Sequence, residues 1–179
     1  MNIGFDLDKI FINFPPLVPD KIIDLFYKEK ANRELKYRMP SKIEQFIRIS
    51  SHHPIFRSLN ANNLNYIKNP ILAKQNNFYL ISSRFGFLKQ RTADLIQKYD
   101  LNKVFKKMYF NYENRQPHEF KNEIIKKLKL DKFVDDDLQL LEYLTNKNPG
   151  IKFFWLNNDV DKPLKKNLIA IKHLSEMFT

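Results

Sequence analysis

Hydrophobic and polar positions change rhythm along this chain, and the changes divide it. At the start, Ile3-Gly4-Phe5 is a short apolar run leading into Asp6-Leu7-Asp8. Side chains alternate along a strand, so the two aspartates share a face only if the strand continues past Asp6. If it ends there and turns, their carboxylates converge just beyond its carboxyl end. A proline-punctuated exit, Phe11 to Pro16, follows. From there to about Pro70 the apolar residues recur at helical spacing. Asp20 caps a predicted helix through Ile22, Ile23, Leu25 and Phe26. Pro40-Ser41 starts another, with Ile43, Phe46, Ile47 and Ile49 on one face, and His52-His53-Pro54 ends it. Asn60 to Ile67 reads as a short third helix, and the stretch holds no strand pattern.

From Asn77 the rhythm alternates. Strands are predicted at 78–82, at Met108-Tyr109-Phe110, at 132–135 and from Ile151 to Leu156. Helices are predicted near 88–99, from Pro117 to Leu130, and through Leu138, Leu141 and Leu144. The tail, Leu168 to Phe178, reads as a short strand and a terminal helical turn. Strands alternating with helices imply an α/β fold, a Rossmann-like parallel sheet with helices on both faces. The segment before Asn77 is then a small helical insertion after the first strand.

Composition refines this picture. The 179 residues suffice for one domain with a modest insertion, and 16 Phe and 8 Tyr supply a large buried area. Three glycines argue against a glycine-rich phosphate loop. With no cysteine, disulfides, thiolate metal sites and a cysteine nucleophile are excluded. There is no secretory-type leader and no run of apolar residues long enough to span a membrane, so a cytoplasmic protein is expected. The net charge of +11 comes from lysines spread along helices, such as Lys121, Lys126, Lys127 and Lys129. That distribution favours a solvated face over a dedicated polyanion surface, although the field would attract anionic substrates.

The polar residues at the strand ends carry the chemistry. Asp6 and Asp8 follow the first strand, Ser82-Ser83-Arg84 the second, and Asp135-Asp136-Asp137 the strand at 132–135, with Lys121 on the helix before it. A parallel sheet gathers such groups at one edge. Carboxylates held together repel unless a cation or a shared proton sits between them, which suggests metal or acid–base chemistry. Each has a plainer reading taken singly. The Asp-x-Asp can be a solvated strand end, the serines turn residues, Lys121 a surface lysine, and Asp135 to Asp137 a helix cap. It is the joint order that favours a site.

In that order the residues resemble the four motifs of the haloacid dehalogenase-like (HAD) phosphohydrolase superfamily. The resemblance covers residues 1–13 and 71–179 as the α/β core, with 14–70 where that superfamily inserts a helical cap. Asp135-Asp136 is most similar to the nucleotidase-like and carboxy-terminal-domain-phosphatase-like branches. The resemblance implies a Mg²⁺-dependent phosphomonoester hydrolase acting on a small phosphorylated substrate, with nucleotides slightly preferred. Asp6 would be the nucleophile that forms an aspartyl-phosphate, and Asp8 the general acid and base. Ser82 would bind a phosphoryl oxygen and Lys121 would neutralise charge between nucleophile and phosphate. Mg²⁺ would be held by the Asp6 carboxylate, the Asp8 backbone carbonyl and Asp136, with Asp135 orienting the ligands.

The pattern is broken at two places. Lys9 follows the Asp-x-Asp where the superfamily usually has Gly, so the turn differs or a cation sits near the site. Leu140 and Leu141 stand where another acid is usual, with Asp137 or Glu142 as candidates to compensate. On the substrate side, Ser83 and Arg84 are candidate binding residues, Arg84 either clamping a phosphate or ribose or pairing with a carboxylate. Phe85 and Phe87 fit packing better than base stacking. His52 and His53 read as a helix-ending loop more than as ligands, and Asn157 could approach the site from the sheet edge. Two alternatives stay open: a catalytically degenerate HAD-like binding module, and a nucleic-acid-end or polyanion-binding protein, the latter not favoured. The oligomeric state is not legible.

Overall fold

The protein is described here as a computed structural model, covering residues 1–14, 35–157, 164 and 166–178. The helix predicted from Asp20 to Phe26 lies outside the described residues.

Six short strands form one parallel sheet: β1 (Asn2–Phe5), β2 (Asn77–Ser82), β3 (Lys107–Phe110), β4 (Lys132–Asp135), β5 (Lys152–Leu156) and β6 (Leu168–Ile171). Their spatial order is β3-β2-β1-β4-β5-β6, so β1 is central and the chain crosses over it between β3 and β4. Such a reversal leaves a crevice at the carboxyl ends of the middle strands. Gly4 sits in register with Tyr79 on one side and Phe133 on the other. A Cβ on Gly4 would lie 2.5 Å from Leu130 Cδ1 and 2.8 Å from Phe133, which explains a glycine in mid-strand.

Both faces of the sheet are buried, as a parallel sheet requires. Alternation along the strands divides the apolar residues between two cores. Ile3, Phe5, Phe78, Leu80, Val134, Phe154 and Ile171 belong to one, with Leu64 and Ile67 of α2 (Ala61–Ile67) and Leu95 of α4 (Lys89–Lys98). Tyr79, Ile81, Phe133, Phe153, Trp155 and Leu168 belong to the other. There they meet Phe120, Ile124 and Ile125 of α5 (Pro117–Leu128), and Leu140, Leu141 and Leu144 of α6 (Leu138–Lys147). Leu140 and Leu141, the positions without an acid, are therefore core residues.

The helix ends are chemically specified. α1 (Lys42–Ser51) starts with a capping box between Ser41 and Glu44. α5 begins with Pro117 as its first residue and stops at Lys129, whose φ of 47° is left-handed. α6 is capped by Asp137, which accepts from the N–H groups of Gln139 and Leu140.

Two features were not legible from periodicity. The helix after Pro40 forms, but its apolar face is not buried. Ile43, Phe46 and Ile47 are exposed, and Arg48 is the buried residue, lining the cleft described below. Hydrophobic periodicity reported the helix and not what covers it. A short helix, α3 (Pro70–Gln75), also stands where none was predicted; Asn69 caps it and Pro70 opens it. Among the described residues, no helix is long and apolar enough to cross a membrane.

Candidate active site

β1 ends at Phe5, and the chain turns at once. Phe11 and Ile12 return N–H bonds to Leu7 O, and the Lys9 N–H donates to Ile12 O. This tight loop keeps the two aspartates close, and the Asp8 N–H donates to Asp6 Oδ2 at 3.0 Å. β4 ends at Asp135, whose Oδ1 accepts the Asp137 N–H, and β2 ends at Ser82. The three strand ends open into one cleft of about 850 Å³. Its walls include Asp6, Asp8, Lys9, Ser82, Ser83, Arg84, Lys121, Asp135 and Asp136, so every site residue expected from the sequence reaches it.

Lys121 is the electrostatic centre. Its Nζ donates to Asp6 Oδ1 at 2.8 Å and to Asp135 Oδ2 at 2.6 Å, and all three groups are buried. Burial alone would lower the Lys121 pKa, but Asp135 and Asp6 together push it well above the ordinary lysine range. The carboxylates remain short of positive charge. Burial raises Asp6 to about 7, with Asp135 and Asp8 adding to the shift and Lys121 opposing it. Burial also raises Asp135, and it raises Asp136 further, with Asp135 as the next cause.

Asp6, Asp135 and Asp136 each offer one carboxylate oxygen within 4.8 Å of the others, the one such acidic group among the described residues. Hard, anionic oxygens in this number suit Mg²⁺, because carboxylates gathered this closely repel one another unless cations lie among them. On that observation the residues fit the metal. Asp137 and Glu142 do not stand in for the missing acid. The Asp137 carboxylate caps α6 and accepts from the Tyr37 hydroxyl at 2.7 Å, and Glu142 is exposed.

Asp8 is held differently. Arg84 binds it in fork geometry, Nε to Oδ2 at 2.8 Å and Nη2 to Oδ1 at 2.7 Å, and Arg57 also pairs with Oδ1. Burial opposes its ionisation, but Arg84 and then Arg57 outweigh that and hold the carboxyl well below the usual range. Of the two readings of Arg84, pairing with a carboxylate is the one observed. In this arrangement Asp8 holds no proton to donate until the guanidiniums withdraw.

The remaining candidates separate. Ser82 Oγ accepts the Arg84 N–H at 3.4 Å. Ser83 Oγ is buried without a hydrogen-bond partner among the described residues. Phe85 and Phe87 pack on each other with ring centroids 6.2 Å apart, and Phe85 is buried. His52 is also buried, its Nδ1 2.8 Å from Arg48 O, so the ring donates to that carbonyl. His53 packs on Phe56. Asn157 does line the cleft.

Sequence reasoning missed four contributors. Arg57 reaches Asp8 from the segment before β2, and Tyr37 reaches Asp137 from the same insertion. Tyr37 also exchanges two backbone-to-amide bonds with Gln116, at 3.0 and 3.2 Å. Trp155 Nε1 donates to Asp136 O at 3.0 Å and fixes that turn, and Arg48 lines the cleft. None carries a local signal, because each pairing depends on how distant segments meet.

No protein-family model matches the chain, and no curated protein matches its sequence. Solved structures do resemble its fold. A Thermotoga maritima protein whose β-phosphoglucomutase name is provisional superposes with a TM-score of 0.60 at 15% identity, over 96% of this chain and 94% of that one. A haloacid dehalogenase-like family hydrolase from Xanthomonas campestris gives 0.58 at 11% identity, over 96% and 90%. A HAD family enzyme from Bacteroides thetaiotaomicron, solved with magnesium and inorganic phosphate, gives 0.54 at 14% identity, over 99% and 98%. At these identities the likeness speaks for architecture. With its six-stranded parallel sheet and the order of its crossovers, the chain has the fold of the haloacid dehalogenase-like hydrolases.

Proposed function

We propose that this protein is a Mg²⁺-dependent phosphomonoester hydrolase that works through an aspartyl-phosphate on Asp6. The observation that carries this reading is the meeting of Asp6, Asp135 and Asp136 at the carboxyl edge of the sheet, the first two bound to Lys121. The fold supports it, as does the magnesium and phosphate bound by the Bacteroides thetaiotaomicron enzyme of the same fold.

Each residue then has a task. An Asp6 carboxylate oxygen attacks phosphorus in line and expels the substrate's alkoxide oxygen, leaving an acyl phosphate that water hydrolyses. Lys121 aims the nucleophile, favours its ionised form against burial, and offsets charge gathered on the transferring group. Ser82 and Ser83 present hydroxyls to the phosphoryl oxygens from the end of β2. Asp8 serves as acid and base once Arg57 and Arg84 turn to the substrate's own negative charge. The metal, held by Asp6, Asp136 and the Asp8 carbonyl with Asp135 beside them, would supply Lewis-acid neutralisation of the phosphoryl oxygens. The insertion between β1 and β2 acts as the cap, with Arg48 lining the cleft and Arg57 buried behind it on Asp8.

A second reading is a binding module of the same fold without turnover. It is favoured by the Asp8 carboxylate bound between two arginines and by Lys9 Nζ lying 3.2 Å from Asp136. A panel of sugar phosphates, nucleotides and small organic phosphates, run with Mg²⁺ and with chelator, separates the two. Chelator-sensitive release of phosphate is expected. No release from any substrate, together with no thermal protection by Mg²⁺ and beryllium fluoride, would refute the hydrolase.

A further inference from the structure

Lys9 sits at an unusual place in an unusual conformation. Its φ is 59°, in the left-handed region that a lysine enters only at some conformational cost. From there its side chain extends into the cleft, with Nζ 3.2 Å from Asp136 Oδ2 and 5.0 Å from the centroid of the Phe14 ring. The pair is only partly screened, the side chains being 33% and 20% exposed. Trp155 Nε1 donates to the Asp136 backbone carbonyl and fixes the main chain from which the carboxylate projects. Of the three convergent carboxylates, Asp6 and Asp135 share Lys121, and Asp136 has Lys9. A divalent ion and the Lys9 ammonium therefore draw on the same Asp136 carboxylate.

We infer that Lys9 is a tethered competitor of the divalent ion: its ammonium occupies Asp136 and must swing out for the metal to bind. This rests on the metal reading of the site given above and adds how occupancy is set. Metal affinity is lowered by the local ammonium, and the effect weakens as added salt screens the pair. The residue acts through position and charge and not through contact with the substrate.

The test is a Mn²⁺ titration of the metal-free protein, followed by the electron paramagnetic resonance signal of the unbound ion. Lys9→Met removes the charge and keeps the bulk; Lys9→Gly removes both and suits the backbone; Lys9→Arg keeps the charge. Met and Gly should each tighten Mn²⁺ binding by about two- to fivefold, the range for losing one partly exposed charge pair, and Arg should leave it near wild type. In an Asp136→Asn background the gain should vanish, because the two residues act as a unit. Equal affinity in wild type and both neutral variants, or a gain that persists without Asp136, would overturn the competition while leaving the metal site standing. Failure of wild type and all variants to bind Mn²⁺ would instead remove the metal reading, and this inference with it.

Discussion

Lys121 Nζ lies 2.8 Å from Asp6 Oδ1, although the two residues are 115 positions apart. The same ammonium is 2.6 Å from Asp135 at the end of the neighbouring strand. One buried cation thus holds together two strand ends whose carboxylates would otherwise repel each other. Removing it leaves both charges buried and unpaired, which typically costs about 3–5 kcal/mol. Lys121→Met should lose stability of that order in urea denaturation, and Lys121→Met with Asp135→Asn should recover part of it. A loss below 1 kcal/mol would show that the triad is not electrostatically coupled.

Asp6 gives a pH dependence of known sign. Its carboxyl is raised from 3.8 to about 7, chiefly by burial, so the folded state holds the proton more tightly than the unfolded chain. That contribution is complete below 3.8 and lost as pH rises through about 7. Without metal, Asp6→Asn should therefore be more stable than wild type at pH 8, on the order of 4 kcal/mol, and close to it near pH 4. Paired thermal melts at the two pH values check this; an unchanged difference contradicts it.

His52 has the opposite sign. Burial, then Arg84 and Arg57, push it down from 6.5 to about 3. The unfolded chain takes up the proton first as pH falls, so this stability is complete above 6.5 and lost towards pH 3. His52→Gln should flatten the acid side of the stability profile across that window. If the acid limb is the same in both proteins, His52 is not its source.

Asp137 caps α6 and accepts the Tyr37 hydroxyl, fastening the insertion to the core. Asp137→Ala should cost about 1–2 kcal/mol as a lost cap and hydrogen bond, and Tyr37→Phe about 1 kcal/mol. Chemical denaturation measures both. Neither should abolish metal binding, since Asp137 is outside the three convergent carboxylates.

How much of this was legible follows from which physical signals are local. The strands could be read because alternation across a two-faced sheet leaves short apolar runs, and those of β1, β2 and β4 end where a polar residue enters the cleft. Asp6, Ser82 and Asp135 were found that way, and Lys121 by its place one turn into an amphipathic helix opened by Pro117. Lys9 was legible as a cation in the wrong place, but its contact with Asp136 was not. Arg57 and Tyr37 had no signature at all, because an arginine 49 residues from Asp8 and a tyrosine 100 residues from Asp137 meet their partners only through the folded insertion. The face of α1 shows the converse limit: its period was readable, its exposure was not.

The most direct measurement is turnover of a phosphomonoester by wild type and by Asp6→Asn, side by side in Mg²⁺, with the folded state of each verified by circular dichroism. The account predicts chelator-sensitive hydrolysis by the wild type and none above background by the folded variant. Hydrolysis by folded Asp6→Asn at the wild-type rate would contradict it.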